Sequence, residues 1–266
     1  MISRIKFVIY FLIIFEPLYA LELPKEVLQG SLVIGQEKNI NQLMIDGIET
    51  KLSHYGYYVF GVGRDHEEPI NVTFILNNEV TNIHKINIIK QDYEIQSIDG
   101  LPEQMVTPLE DEIIQRIIAE NKIIKERKLI DLDLTYFIEE FAMPTQGIIS
   151  GVFGSQRILN GKPKSPHRGL DIAAKEGAAV VAANDGVVIL AEEDLYYTGG
   201  TIMLDHGHGV KSIYAHMSKV SVKLDDQVRR NDIIGAVGST GRSTGPHLHW
   251  GVMVFKIYVD PRLLIE

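Results

Sequence analysis

The residues that could do chemistry sit in the C-terminal half of the chain. In Gly245-Pro246-His247-Leu248-His249-Trp250, two imidazoles flank one apolar residue. A turn signal precedes them and an apolar run follows, to Tyr258. Along an extended strand, residues i and i+2 point to the same face. His247 and His249 therefore share one side, and Leu248 turns to the core. Two imidazoles this close indicate a metal or a catalytic pair. In His167-Arg168-Gly169-Leu170-Asp171 a histidine and a carboxylate stand four apart, again on one face of a strand. Ile213-Tyr214-Ala215-His216-Met217 adds a further imidazole.

This set fits an open zinc site. Catalytic zinc keeps three protein ligands, at about 2.0–2.2 Å for nitrogen and oxygen, and one position for water. His167, Asp171 and one of the pair His247/His249 supply a His-Asp-His set. The other histidine of the pair, with His216, stands near the water and handles protons or a developing oxyanion. Alone, His-x-His is a weak signal, because strand histidines at that spacing also arise by chance. Its conjunction with the upstream pair, His216 and the Ser-Thr-Gly-Pro turn is much stronger. The remaining histidines read differently. His54, His66 and His84 lack ligand spacing and read as surface or hydrogen-bonded residues. His206 and His208, in Asp205-His206-Gly207-His208-Gly209, shape a turn. Tyr196 and Tyr197 precede Gly199-Gly200 and line a groove wall or pack.

The elements that position these residues are mainly β. From Leu21 to Pro108, short runs rich in Ile, Val, Tyr and Phe recur at roughly ten-residue spacing, which predicts a small sandwich. They include Gln42 to Ile45, Tyr57 to Val62, Ile70 to Leu76, Ile83 to Ile89 and Tyr93 to Ile98. An amphipathic helix is predicted from Glu110 to about Leu129, acidic at its start and basic at its end, in accord with the helix dipole. Met143-Pro144-Thr145-Gln146-Gly147 marks a boundary. Beyond it, glycine-rich turns separate strands, as in an antiparallel β domain. The last run, His249 to Tyr258, reads as one strand.

Composition narrows the class. The chain has 266 residues, 23% charged and 45% hydrophobic, which is ordinary for a folded protein. Its net charge of −9 argues against a nucleic-acid partner. Arg4 and Lys6 precede an apolar run from Phe7 to Phe15, and Leu18-Tyr19-Ala20 follows. That is the three-part pattern of a secretory signal over residues 1–20, with cleavage after Ala20. The run is short for a bilayer, so no stable membrane span is expected after cleavage. There are no cysteines, so the exported protein is held by its core rather than by disulfides.

The segment from about Pro144 to Glu266 closely resembles the catalytic domain of lysostaphin-like (LytM-type) zinc metallopeptidases. The matching stretches are Gly151-Val152-Phe153-Gly154 with Arg157, Pro166 to Ala173, Val181-Ala182-Ala183, Asp205 to Gly209, Tyr214-Ala215-His216-Met217, Gly238 to Trp250 and Asp260-Pro261. The resemblance implies zinc ligands at His167, Asp171 and His249, and catalytic histidines at His216 and His247. It implies an antiparallel β metallopeptidase domain with a groove. The reaction implied is zinc-assisted hydrolysis of peptide stems or cross-bridges of peptidoglycan. There are two departures. The loop Arg157 to Pro166 lacks the tyrosine that relatives often carry there, and Gly251 stands where many have Glu. The stretch Gly56 to Asp65 resembles, more distantly, an immunoglobulin-like β domain that precedes the peptidase in exported members.

The resulting division is a signal peptide over 1–20, an N-terminal β domain over 21–108, a linking helix and connector over 109–142, and a zinc metallopeptidase domain over 143–266. The periplasm is the expected location, and the D-alanine–diaminopimelate cross-link the expected target. The N-terminal domain leaves room for a regulatory protein partner. A competing function is a non-catalytic relative that binds peptidoglycan and activates another hydrolase, but such relatives lose zinc ligands. A cupin-type oxygenase also uses His-x-His, but it wants a Glu a few residues on, and none occurs from Leu248 to Tyr258.

Overall fold

The computed structural model describes residues 23–265; the predicted signal segment lies outside the described residues. Strand accounts for 44% and helix for 12%, so the protein is mainly β. Among the described residues no helix is long and apolar enough to cross a membrane.

The N-terminal part has two layers. One is a five-stranded sheet that includes Gln42–Ile45, Ile70–Leu76 and Glu79–Ile89. In it Glu26–Leu28 runs parallel to its neighbour, and the other pairings are antiparallel. The second layer is the antiparallel pair Leu32–Gln36 and Tyr57–Gly61. Strand alternation gives this pair two apolar faces. Val33, Tyr58 and Phe60 pack on Leu43, Val72, Phe74 and Ile86 of the first sheet. Val59, with Leu32, Ile34 and Tyr57, joins the core of the C-terminal part instead. The pair is thus a layer common to two cores. Its approach to the second is close: a Cβ on Gly61 would lie 2.6 Å from Val254.

The C-terminal part is built on a ten-stranded sheet. Its centre is Val210–Val220 beside His247–Val254, and Leu170–Ala173 and then Ile148–Gly151 flank the latter. Every pairing in this sheet is antiparallel. Tyr214, Leu248, Trp250 and Val252 are fully buried on its inner face. Each such side chain contributes about 1.5–3 kcal/mol by leaving water.

The helix forms at Asp111–Lys128, with Asp111 and Glu112 in its first turn and Lys125, Arg127 and Lys128 in its last. Its Ile124, with Ile130 beyond it, packs on Ile189, Leu190, Leu195 and Met203. Four features differ from the sequence reading. Ile95–Ile98 leaves the N-terminal sheets and pairs in parallel with Gln156–Leu159. The run after His249 is two strands, His247–Val254 and Ile257–Val259, because Phe255 turns the chain at φ 51°. Phe137 and Phe141 lie in the C-terminal core, upstream of the boundary placed at residue 143. A short helix, Glu103–Val106, was not anticipated.

The shared layer makes a prediction. Val59→Ala removes buried apolar volume from the core that holds Trp250, the one tryptophan of the chain. The Trp250 fluorescence transition in urea should shift by about 2 kcal/mol to lower stability. An unmoved transition would show that the strand pair does not support that core.

Candidate active site

Strand register assembles the site. Asp171 pairs with His249 and Ala173 with His247 across one ladder, and Ala215 pairs with His249 across the next. Residues directly opposite one another share a face. Asp171 and both histidines therefore share the outer face of the sheet, while Leu248 points inward.

His167 is placed otherwise than the sequence reading expects. It precedes the strand Leu170–Ala173 and lies in a loop. Gly169, just before the strand, sits where no side chain fits: a Cβ there would lie 2.4 Å from the Trp250 carbonyl and 2.9 Å from the His249 ring. Backbone bonds fix the loop, from the His167 N–H to Ser155 O (2.9 Å) and from the Gly154 N–H to His167 O (2.9 Å). The His167 Nδ1–H donates to the Val152 carbonyl at 2.9 Å. This sets the tautomer and leaves Nε2 as the lone-pair nitrogen.

His216 depends on a bulge. Gly200 pairs with Met217 but Ile202 with Tyr214, so two residues oppose one. The extra residue places Ala215 and His216 both on the outer face and returns Met217 to the core. His216 takes φ 64°, a left-handed conformation in which a bulge re-aims its side chain.

Three acceptor atoms converge. His167 Nε2 is 3.0 Å from both His249 Nδ1 and Asp171 Oδ1, and His249 Nδ1 is 2.8 Å from that oxygen. His247 Nε2 is 4.0 Å from the same oxygen. The rings of His216 and His247 are 4.7 Å apart. Each has its Nδ1–H tied to a backbone carbonyl, Thr240 O for His216 and Gly245 O for His247, both at 2.8 Å. Each Nε2 is left for the cleft. Arg157 donates to the other oxygen of Asp171.

The electrostatics follow from burial. Desolvation raises the Asp171 pKa, but the close polar contacts with the His167 and His249 rings outweigh it and hold the group well below the carboxylate range. Burial lowers His167, against the pull of Asp171. Burial, then the neighbouring His247 and His249, push His216 down to about 3.

The cluster opens into a cleft of about 940 Å³. Tyr197 lines it, while Tyr196 is buried and donates its hydroxyl to Gln104 O at 2.9 Å. The segment around Glu103–Val106 bridges the rims. Lys164 donates to Val106 O (2.7 Å) on one side and Arg242 to Met105 O (3.2 Å) on the other. No local pattern signals this contact, which joins positions far apart in the chain.

His54, His66 and His84 stay away from the cluster, and His84 bonds to the Pro24 carbonyl at 3.0 Å. His206 and His208 are buried at the turn, His208 at φ 48°. His206 Nδ1–H donates to Asp185 O (2.5 Å), and its other nitrogen meets the Ser212 hydroxyl (2.7 Å), which also meets Tyr214 (3.0 Å).

His167, Asp171 and His249 form a group that could hold a metal ion, set in a groove of a mainly β protein. Residues 165–261 match the model of Peptidase family M23, so the chain carries an M23 peptidase domain. Over 95 residues it is 43% identical to the DD-carboxypeptidase/endopeptidase Mpg of Neisseria meningitidis serogroup B, covering 36% of this chain and 22% of that protein. Over 93 residues it is 40% identical to the peptidoglycan DD-endopeptidase ShyA of Vibrio cholerae, covering 35% of this chain and 21% of that one. The matched part thus spans about a fifth of the length of these curated relatives. A solved Pseudomonas aeruginosa structure described as a peptidase M23 shares the fold, with a TM-score of 0.59 at 23% identity over 90% of this chain and 94% of that one.

Buried His206 has a measurable consequence. Burial lowers its pKa to about 4, against the opposing Asp185 carbonyl. The unfolded chain titrates near 6.5. Above pH 6.5 neither state binds the proton; between 6.5 and 4 only the unfolded state does. Stability therefore falls with pH through that window, by about 1.4 kcal/mol per unit, and levels off below it. Urea titrations should show a steeper loss for wild type than for His206→Gln between pH 6.5 and 4. Equal slopes would rule out this linkage.

Proposed function

We propose that the protein is an exported zinc endopeptidase that hydrolyses peptide cross-links of peptidoglycan. The observation that carries this is the convergence of His167 Nε2, Asp171 Oδ1 and His249 Nδ1 in a groove, with two further imidazoles beside them. The M23 match and the relatives named as peptidoglycan DD-endopeptidases support it. The donor set fits zinc: two imidazole nitrogens and one carboxylate oxygen converge, and His167 Nδ1 has a backbone partner that orients the ring. When bound there, zinc lowers the pKa of water and polarises a carbonyl.

The remaining work belongs to the chain. His216 and His247 carry their protons on Nδ1, held by backbone carbonyls, so each presents a basic Nε2 to the cleft. One accepts the proton of the attacking water. It passes that proton to the leaving amine, and the other, carrying a proton from solvent on Nε2, donates to the oxyanion. Arg157 holds the second oxygen of Asp171 and fixes its orientation. The groove holds an extended peptide on the face shared by Asp171, His247 and His249. The periplasm is the compartment this reading favours, and the D-alanine–diaminopimelate bond its target. The intact His-Asp-His set argues against a purely binding relative.

Purified cross-linked peptidoglycan, incubated with the protein from Leu21 onward, should lose dimers in a chelator-sensitive way, read by the masses of released muropeptides. Dimers that persist under every metal condition would overturn the reading. His249→Ala should lose metal and turnover together. His216→Ala should keep its metal, measured by elemental analysis, while kcat falls by about 10²–10⁴. Normal kcat in that variant would remove His216 from the chemistry. Gly151→Ala tests the support of Asp171. A Cβ there would lie 2.6 Å from the Asp171 carboxylate, so metal affinity should fall about 10–100-fold. Unchanged affinity would show that the carboxylate has room to shift.

A further inference from the structure

The charge of the cleft opposes that of the chain. The protein carries −9 overall, yet five cations line the cleft, Lys128, Arg157, Lys164, Arg168 and Arg242, against Asp171 and Glu120. Both carboxylates are engaged. Asp171 belongs to the cluster and to Arg157, and Glu120 bonds to Arg116 and accepts from the Tyr196 N–H. The ligand that completes this cleft is therefore an anion.

One cation is built for it. Among the described residues Arg242 has no carboxylate partner, although it is half-buried. Arg168 also lacks one, but it is exposed. Lys164 and Lys128 are held by the Val106 carbonyl and the Tyr258 hydroxyl. A guanidinium withdrawn from water without a counter-charge is costly, and burial lowers its pKa below the usual value. Its geometry is fixed all the same. The guanidinium lies 4.6 Å from the centre of the Tyr197 ring, and the Arg242 N–H donates to Tyr197 O at 2.9 Å. Of its five side-chain N–H groups, one donates to Met105 O. The same loop supplies the Thr240 carbonyl to His216 and the Gly245 carbonyl to His247. A group bound by Arg242 is thereby held in fixed relation to both imidazoles.

We propose that Arg242 anchors a free carboxylate of the substrate peptide and sets a preference for acidic over amidated stems. The proposal rests on the peptidase reading for the identity of the peptide. A carboxylate binds a guanidinium in a two-pronged, charge-assisted manner, and a neutral carbonyl does not. Four side-chain N–H groups of Arg242 remain for the carboxylate beside the bond to Met105 O. Two carboxylates of a stem have this chemistry: the side carboxylate of the diamino diacid and the terminal carboxylate of the strand.

The test uses the protein from Leu21 onward, as wild type, Arg242→Gln and Arg242→Lys. Three cross-linked peptides are compared: fully acidic, amidated on the diamino diacid, and amidated at the C-terminus. Cleavage gives kcat and KM, and calorimetry at neutral pH gives binding. In wild type, amidating the recognised carboxylate should raise KM and Kd roughly tenfold, since a charge-assisted bond is lost. The peptide that shows the rise names the source. Arg242→Gln should give the amide-like KM on all three, and Arg242→Lys, which keeps the charge but not the fork, should recover part. Wild-type indifference to both amidations overturns the proposal. So does an acid preference that survives in Arg242→Gln, or a rise in KM equal for acid and amide, which marks a merely structural loop residue. Absence of turnover with a retained acid preference in binding would count against the peptidase reading while supporting Arg242.

Discussion

The site depends on the register of three antiparallel strands. Leu170–Ala173, His247–Val254 and Val210–Val220 lie side by side, with Asp171, His249 and Ala215 in one row. A slip of one residue in such a ladder turns every side chain to the other face. It would bury His247 and His249 and expose Leu248 and Trp250. The register is held by that same alternation, since Tyr214 stands opposite Trp250 and both are fully buried. The burial that stabilises the sheet and the geometry that gathers the imidazoles are thus one constraint seen from two faces.

Within that frame, polar atoms are oriented by backbone. Val152, Thr240 and Gly245 each offer a carbonyl to the Nδ1–H of a histidine, His167, His216 and His247. Loop carbonyls fixed by neighbouring strands do not reorganise as water does, so the lone pairs at Nε2 are aimed before any ligand arrives. Asp171 lies against two imidazoles, which hold its pKa low in spite of its burial. Two glycines leave the space. Side chains at 151 and 169 would collide with Asp171 and with His249.

Much of this was legible where chemistry and local periodicity coincide. His247-Leu248-His249 alternates as the sequence implies, and the ends of the helix Asp111–Lys128 follow its charges. What escaped the sequence is non-local. The spacing puts His167 on one strand with Asp171, whereas it lies in a loop, and only the fold reveals how closely Trp250 and His249 approach Gly169. The bulge that turns His216 outward is a property of two strands, not of one. The pairing of Ile95–Ile98 with Gln156–Leu159 joins segments some sixty residues apart, and nothing in either segment's pattern names its partner. The short helix Glu103–Val106 carries too few residues for a period to show.

Those non-local contacts decide how the two parts of the chain relate. A strand pair with two apolar faces cannot leave either core without exposing the other face, so Val59 and Phe60 tie the N-terminal sheet to the C-terminal one. The strand Ile95–Ile98 then leads the chain along the cleft, and the segment around Glu103–Val106 hydrogen-bonds to both rims. The shared layer is apolar, whereas the rim contacts are polar and partly exposed. Apolar burial of the first kind is cooperative and resists local opening; exposed hydrogen bonds of the second exchange with water at little net cost. The N-terminal part is therefore anchored at the back of the sheet and adjustable at its front, along the cleft.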